Sequence, residues 1–353
     1  MLRTLLSGDY PRSRWLSAAL LVILVSLAFA PFLFPGTRSL SVAAKICYFV
    51  VLVASYDLML GYTGIVSLAH TMFFGIGAYG VAIALDYHGG SWTMVLLGAV
   101  AGILVAVAVA LVIGLFSLRV RALFFAMVTL AVASAFAVLA SQLSWLTGGE
   151  DGLSYSVPRV LTPAFRLMDT RILDVRMSGR IVNYYMVFFV SLALFLVMLR
   201  IVNSPFGRVL QSIRENDFRS EALGFHAVVY RSLASCIGAV MAALAGVLAA
   251  LWLRYTGPDT TLSFDIMVDI LLMVVIGGMG SLYGSVLGAT IFILAQNYLQ
   301  EIMGAVSNAT TALPLVPELF HPDRWLLWLG VLFVLSVYFF PTGIVGRLRR
   351  PHS

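Results

Sequence analysis

Two apolar segments of this chain are interrupted by clusters of glycine, and they lie far apart in the sequence. The first covers residues 61–80 and the second covers residues 276–288. Inside a bilayer, irregular backbone is tolerated only where protein or a water-filled cavity satisfies the freed N–H and C=O groups. A pair of such interruptions in one membrane chain indicates a substrate path. The predicted translocation pathway consists of Gly61, Thr63, Gly64, Ser67, His70, Gly277, Gly278, Gly280 and Ser281.

The residue spacings typical of enzymes are missing from the sequence. The five histidines are scattered, without an HExxH or another metal-binding spacing, and no GxSxG motif is present. The single lysine, Lys45, has no glycine-rich phosphate loop around it, so the chain is not expected to hydrolyse ATP by itself. We therefore predict a non-catalytic protein with no cofactor and no metal site. Cys47 and Cys236 lie in separate apolar runs and are expected to be free thiols.

The composition predicts that a lipid bilayer is the solvent of this protein. Of the 353 residues, 61% are hydrophobic and 11% are charged, whereas soluble domains carry about 25% charged residues. The net charge of +6 is not arranged as a basic stripe with interleaved aromatic residues. We therefore expect no nucleic-acid partner, and we attribute the positive charge to the cytoplasmic face of a membrane protein.

The apolar runs predict an all-α polytopic membrane protein with about eight to ten transmembrane helices, some of them broken or only partly crossing. The two glycine-broken regions favour two pseudo-symmetric halves. The whole chain, residues 1–353, is expected to form a single transmembrane domain. The candidate spans are 15–34, 41–60, 67–85, 93–116, 122–142, 182–202, 232–253, 266–278, 282–302 and 325–340, of which the eighth is the weakest.

The positions of the arginines predict that both termini are cytoplasmic. With ten crossings, the arginines expected inside are Arg3, Arg12, Arg14, Arg119, Arg121, Arg208, Arg214, Arg219, Arg231, Arg347, Arg349 and Arg350. The segment 143–180 disagrees with this rule, because it is placed outside and carries five arginines. We interpret it as an external loop that folds locally, and either partner docking or a simple connection between helices would account for it.

The segment 203–230 is the longest polar stretch predicted inside. Pro205 suits the first turn of a helix, and the apolar spacing that follows predicts a short amphipathic helix. A second short helix is predicted from Ser220, ended by Gly224. Two short helices with both charge signs favour docking to another protein over lipid binding.

Three motifs follow one another along the chain. The first is Gly61-Tyr-Thr-Gly with Ser67-Leu-Ala-His70 and Phe73-Phe-Gly-Ile-Gly-Ala-Tyr79; the second is Ser-Pro-Phe-Gly-Arg208 with Ile-Arg-Glu-Asn216 and Glu221-Ala-Leu-Gly224; the third is Ile276-Gly-Gly-Met-Gly-Ser-Leu-Tyr-Gly284. Together and in this order they resemble the branched-chain amino acid permease family of ABC importers, specifically its M-type subunit. The chain departs from the usual pattern at Ala69, at Thr71-Met72 and at Tyr56-Asp57.

The resemblance implies an uptake system in a bacterial inner membrane. Its expected partners are a second homologous permease subunit, two ABC ATPase subunits and a soluble substrate-binding protein. The residues expected to couple the chain to the ATPases are Arg208, Arg214, Glu215, Glu221 and Gly224. Related signatures also occur in permeases for urea, short amides or aromatic acids. An ion-coupled secondary transporter is the alternative from another class, because glycine-broken halves also fit it.

Ionisable residues inside apolar runs are costly and therefore informative. Lys45, Asp265 and Glu301 lie near predicted span ends, where we interpret them as reaching toward the membrane surface. Asp57 precedes the break at Gly61. It either orders the irregular backbone of that break or has no part in ordering it. For His70, a buried structural role is favoured over substrate contact.

Overall fold

The computed structural model describes residues 13–33, 36–117, 122–172, 175–309, 320–340 and 342–349. Within these ranges the chain is an all-α polytopic membrane protein, which confirms the predicted class. Arg3, Arg12, Arg119, Arg121 and Arg350, used above to predict orientation, lie outside the described residues. Eight segments are long and apolar enough to cross a bilayer: Thr37–Thr63, Trp92–Leu115, Phe124–Gln142, Gly179–Asn203, Ala227–Leu253, Pro258–Gly277, Leu282–Ala309 and Pro322–Gly346.

The helices are labelled here in chain order. They are α1 Arg14–Ala28, α2 Thr37–Asp57, α3 His70–His88, α4 Trp92–Ser117, α5 Ala122–Gln142, α6 Gly179–Asn203, α7 Pro205–Glu215, α8 Asp217–Ala222, α9 Ala227–Leu253, α10 Phe264–Gly277, α11 Leu282–Ala309, α12 Trp325–Phe339 and α13 Gly343–Arg349. Single helical turns cover Ala30–Leu33, Ser144–Thr147, Gly149–Asp151, Arg159–Leu161, Pro258–Thr261 and Pro322–Arg324. As expected for the eighth candidate span, α10 is short.

Helices α2, α3 and α9 form the centre of the molecule. Almost every residue of α2 from Val42 to Asp57 is buried, as expected for a helix that is apolar on all sides. Helix α9 packs against α2, α3 and α4. By contrast, α4 and α5 leave large apolar side chains such as Leu104 and Met127 exposed, and these side chains face the bilayer.

Small residues allow the central helices to approach closely. A Cβ added at Gly77 would lie 2.0 Å from the carbonyl oxygen of Ala243, and one added at Gly98 would lie 2.4 Å from that of Gly80. Neither position has room for a side chain, so the helix backbones are in van der Waals contact. The GxxxG spacing of Gly98 and Gly102 is therefore a packing feature.

Three of the four short strands among the described residues lie in the segment 143–180. Strand β2 (Arg166–Ile172) pairs antiparallel with β3 (Val175–Ser178) inside the segment, whereas β1 (Leu153–Ser154) pairs antiparallel with β4 (Tyr255–Thr256), which follows α9. The glycine cluster 148–152 forms a turn, with positive φ at Gly148, Gly149 and Gly152. The turn and the β2–β3 pair therefore fold locally, as expected, and β1 joins the segment to the end of α9.

Contacts between helix ends place the segment 143–180 and the segment 203–230 at opposite ends of the bundle. Arg180, at the start of α6, donates to the Thr37 carbonyl at the start of α2, 3.1 Å away. The far end of α2 meets α7 and the connection between α10 and α11. Arg180 also lies over the Trp252 ring, with its Cζ 5.7 Å from the ring centroid. Arg180 is one of the five arginines that disagreed with the orientation rule, and these contacts give it a structural role.

Candidate functional site

The first glycine-broken segment is an irregular connection between α2 and α3. Helix α2 continues beyond Asp57 as a π-helical turn, Leu58–Thr63, which ends at Gly64 with a φ of +74°. The Thr63 hydroxyl donates to the Met59 carbonyl at 2.5 Å. The following strand-like residues reach α3 at His70, and the Leu68 N–H donates to the Thr129 hydroxyl of α5 at 3.0 Å. Protein groups therefore satisfy this broken backbone, as its depth in the bundle requires.

The second glycine-broken segment connects α10 to α11. Gly278 has a φ of +115° and Gly280 a φ of +80°, a region that side chains disfavour. Helix α13 packs against this turn: Gly343 has a φ of +72°, and a Cβ there would lie 2.2 Å from the Gly278 Cα. Gly343 was not among the residues predicted to form the pathway, since it lies outside both glycine-broken segments in the sequence.

The two segments meet directly. The Gly280 N–H donates to Asp57 Oδ1 at 2.8 Å. A Cβ added at Gly61 would lie 2.1 Å from Asp57 Oδ1 and 2.3 Å from the Gly280 nitrogen. The contact therefore needs an acceptor at position 57 and no side chain at position 61. Of the two alternatives left open for Asp57, the structure supports ordering of the broken backbone.

The glycines of the two segments do not all serve the same purpose. Gly64, Gly278 and Gly280 adopt positive φ, a conformation that a Cβ disfavours. Gly61 and Gly277 lack positive φ. Those two are needed because other backbone passes too close; a Cβ at Gly277 would lie 2.0 Å from the Gly284 carbonyl oxygen.

Arg214 connects helix α7 to both glycine-broken segments. Its Nη1 donates to the Gly61 carbonyl oxygen. A Cβ added at Gly64 would lie 3.2 Å from Arg214 Cγ, and one added at Gly280 would lie 2.9 Å from Arg214 Nη1. The guanidinium therefore lies between the two segments. Arg214 was predicted to couple the chain to the ATPases. It is exposed, as are Arg208, Glu215 and Glu221, but its guanidinium reaches the Gly61 carbonyl.

Helices α7 and α8 form the predicted pair on the segment 203–230. Leu210 and Ile213 are buried against the chain's own helices, so α7 is docked through its apolar face. The second helix begins at Asp217 rather than at Ser220, because the Asn216 side chain caps it by accepting from the Arg219 N–H at 3.0 Å. Gly224 ends the pair with a φ of +90°, as predicted.

Two apolar side chains of α7–α8 face solvent. Phe218 is 88% exposed and Leu223 is 69% exposed. Exposed apolar residues at one place mark an interaction surface more specifically than exposed charges do. Only charged residues and Gly224 were predicted to form a contact here, and Phe218 and Leu223 were missed. Apolar residues inside a polar stretch could have indicated them from the sequence.

The polar side chains predicted to line the pathway are mostly buried. Thr63, Ser67, His70 and Ser281 all have low exposure. His70 Nε2 is 2.7 Å from the Ser55 hydroxyl, and its ring lies 5.3 Å from that of Tyr56. These contacts agree with the favoured structural role of His70. Ser281 Oγ and His70 Nδ1 are buried and have no hydrogen-bond partner among the described residues.

Lys45 differs from the interpretation as a residue that reaches the membrane surface, whereas Glu301 is exposed, as that interpretation expects. Helix α2 begins at Thr37, so Lys45 is well inside it, and its Nζ donates to Gln296 Oε1 at 2.9 Å. Glu301 forms a salt bridge with Arg38. Both residues tie α2 to α11.

An apolar cavity of about 390 Å³ lies between α1, α2, α6 and α11, and Tyr283 of the second glycine-broken segment is among its lining residues. Leu24, Phe188 and Phe195 are among its lining residues, and no charged side chain lines it. Such a cavity suits hydrocarbon, so we do not assign it to a polar substrate.

Sequence comparison gives the family. The family described as "Branched-chain amino acid transport system / permease component" matches residues 39–337. This chain belongs to it. The match spans both glycine-broken segments and α7–α8, and it confirms the resemblance drawn from the motifs.

Individual relatives agree with the family. The chain is 26% identical to the high-affinity branched-chain amino acid transport system permease protein LivM of Salmonella typhimurium over 98% of this chain and 77% of the relative. It is also 26% identical to the LivM protein of Escherichia coli, with the same coverage. A probable LivM permease of Methanocaldococcus jannaschii is 29% identical over 46% of this chain and 45% of the relative. No solved structure matches the chain.

Proposed function

We propose that this chain is the membrane-spanning subunit of an ATP-driven importer, in which α7 and α8 receive the motion of ATPase subunits and pass it to the glycine-broken segments. The observation that carries the proposal is the position of Arg214. Arg214 belongs to α7, which is followed along the chain by the exposed side chains of Phe218 and Leu223. Its guanidinium donates to the Gly61 carbonyl oxygen. A displacement of α7 would therefore act directly on the break between α2 and α3.

The second segment would move with the first. Asp57 holds the Gly280 N–H, and Gly61 has no side chain to separate them. Because the two segments share these contacts, one shift of Arg214 changes the environment of both. Thr63, Gly64, Ser67, Gly277, Gly278 and Ser281 would then line or shape the opening.

The assembly follows from the family. The proposed partners are a second homologous permease subunit, two ABC ATPase subunits and a soluble binding protein that delivers substrate. The proposed substrates are branched-chain amino acids, since the relatives' names give that class. We place the chain in a bacterial inner membrane with both termini and α7–α8 cytoplasmic, and the segment 143–180 on the outside, as the arginine distribution favours.

Reconstitution tests the proposal. In proteoliposomes, the chain with its permease partner, ATPase subunits and binding protein should take up leucine only when ATP is supplied on the side of α7–α8. The chain alone should show no ATP hydrolysis. Leucine uptake driven by a proton or sodium gradient without the ATPase subunits would overturn the proposal and favour a secondary transporter.

A further inference from the structure

Three polar side chains from three helices meet in the interior of the bundle. Lys45 Nζ of α2 donates to Gln296 Oε1 of α11 at 2.9 Å. Gln296 Nε2 donates to Asp269 Oδ2 of α10 at 3.1 Å. The two charges attract each other electrostatically across the amide. All three side chains are partly exposed rather than sealed, so a small ligand could reach them.

The cluster lies at mid-depth. Gln296 is near the midpoint of α11, and Lys45 and Asp269 also lie well inside their helices. An ionisable residue at the middle of a membrane span is costly and is retained mainly for function. A purely structural link between three helices would need no charge, since two neutral amides can form the same hydrogen bonds.

The arrangement of donors and acceptors matches one chemical group. The Gln296 amide accepts from the Lys45 ammonium through its oxygen and donates to the Asp269 carboxylate through its nitrogen. An α-amino acid also offers an acceptor and a donor on one carbon, but both are fully charged: the carboxylate is the acceptor and the ammonium group is the donor. An uncharged amide can bond to both residues, as Gln296 does, but without the attraction between opposite full charges, and a simple acid would use Lys45 alone.

We propose that Lys45 and Asp269 form a subsite for the zwitterionic head group of an α-amino acid, with Gln296 occupying the place of the ligand in the structure. In the bound state the Lys45 ammonium donates to the substrate carboxylate, and the substrate ammonium donates to the Asp269 carboxylate. The Gln296 side chain turns aside. This inference rests on the proposed function and narrows its substrate to compounds that carry both charges.

Ligand binding to the purified complex tests the subsite without relying on transport. The complete transporter without its soluble binding protein is titrated with millimolar L-leucine, with leucinamide, which lacks the carboxylate, and with 4-methylpentanoate, which lacks the ammonium group. Thermal stabilisation should appear with L-leucine alone. Lys45→Met and Asp269→Asn should each weaken it about tenfold or more, since each removes a charge-assisted hydrogen bond to the ligand. Equal stabilisation of these variants and the wild type would overturn the subsite.

A charge swap separates recognition from helix linkage. In the double variant Lys45→Asp, Asp269→Lys the two charges exchange helices, and the melting temperature without ligand shows whether the link between the helices survives. A ligand cannot follow this exchange, because exchanging carboxylate and ammonium at a stereocentre gives the enantiomer. The double variant should therefore lose its response to L-leucine. Retention of the wild-type response would overturn the proposal.

A matched swap on the same two helices is the control. Arg38 and Glu301 form an exposed salt bridge between α2 and α11, so Arg38→Glu with Glu301→Arg should leave the response to L-leucine unchanged.

Because the binding assay uses no ATP, its result is independent of the energy source. Uptake that proves to be ion-driven would remove the ATP-driven proposal, whereas a failed binding test would remove only the subsite.

Discussion

At the residue scale, the glycines at the two broken segments are required for two physical reasons. Gly64, Gly278 and Gly280 adopt positive φ, whereas Gly61 lies too close to Asp57 and to the Gly280 backbone for any side chain. At Gly64, which lies in the left-handed helical region, alanine would cost about 1–2 kcal/mol of backbone strain. The second reason requires neighbouring atoms to move.

Gly61→Ala should abolish or strongly reduce leucine uptake. Its Cβ would overlap Asp57 Oδ1 and the Gly280 nitrogen, so the hydrogen bond between the two segments would break. Uptake per unit of membrane-inserted protein is the measurement. Gly330→Ala is the control, because a Cβ at that helical position meets nothing within 4 Å and should leave uptake unchanged. Normal uptake by Gly61→Ala would show that the two segments need not be in contact.

His70 should prove to be a stability residue. It is buried and bonded to Ser55, so His70→Leu removes a hydrogen bond worth about 0.5–1.5 kcal/mol, although Ser55 keeps its bond to the Leu52 carbonyl. We expect a lower melting temperature of the detergent-purified protein and an unchanged KM for leucine in the fraction that remains folded. A raised KM with unchanged melting temperature would instead place His70 in contact with substrate.

At the element scale, α7 and α8 combine an inward and an outward face. Leu210, Ile213 and Arg214 contact the chain's own helices, and Phe218, Glu221 and Leu223 face solvent. An element with both faces engaged can transmit a displacement. A helix that only docked a partner would not need the inward contacts.

Cysteine crosslinking should identify the partner of the outward face. Glu215→Cys and Glu221→Cys are expected to crosslink to an ATPase subunit and to resist membrane-impermeant reagents added outside intact cells. Glu150→Cys, exposed at the opposite end of the bundle, is the control and should react with those reagents. External labelling at position 215 or 221 would reverse the proposed orientation.

Gly224→Val should uncouple ATP hydrolysis from uptake without a steric clash. Nothing lies within 4 Å of an added Cβ, but φ is +90°, so the effect comes from backbone strain, and a β-branched residue is a genuine outlier there. The ratio of ATP hydrolysed to leucine transported should rise. An unchanged ratio would show that the turn after α8 does not transmit motion.

The elements were predictable because their signals are local. Glycine clusters marked both breaks, and the pattern after Pro205 gave α7. The start of α8 was placed three residues late, because the Asn216 cap was not recognised. The contacts between elements were not predictable. Arg214 and Gly61 are 153 residues apart, and Asp57 and Gly280 are 223 apart, so no periodicity within one helix records that they meet.

At the scale of the whole molecule, three distant parts of the chain converge at one end of the bundle. The break after α2, the break after α10 and helix α7 are joined by Asp57 and Arg214, and α13 closes the group through Gly343. The proposed zwitterion subsite lies on α2, α10 and α11 toward mid-depth. Helices α2 and α10 therefore extend from that subsite to the convergence point, which would give a physical route between the proposed ATPase contact and the proposed substrate subsite.

The measurement that tests the central claim most directly compares Arg214→Met with Arg208→Met in the reconstituted transporter. Both variants remove one guanidinium from α7, but only Arg214 bonds to Gly61. Losing a charge-assisted hydrogen bond costs about 1.5–3 kcal/mol, so we predict that Arg214→Met loses tenfold or more of its leucine uptake while the ATPase subunits remain bound and hydrolyse ATP. Arg208→Met should retain most of its uptake. Equal uptake by the two variants would contradict the claim that Arg214 links α7 to the glycine-broken segments.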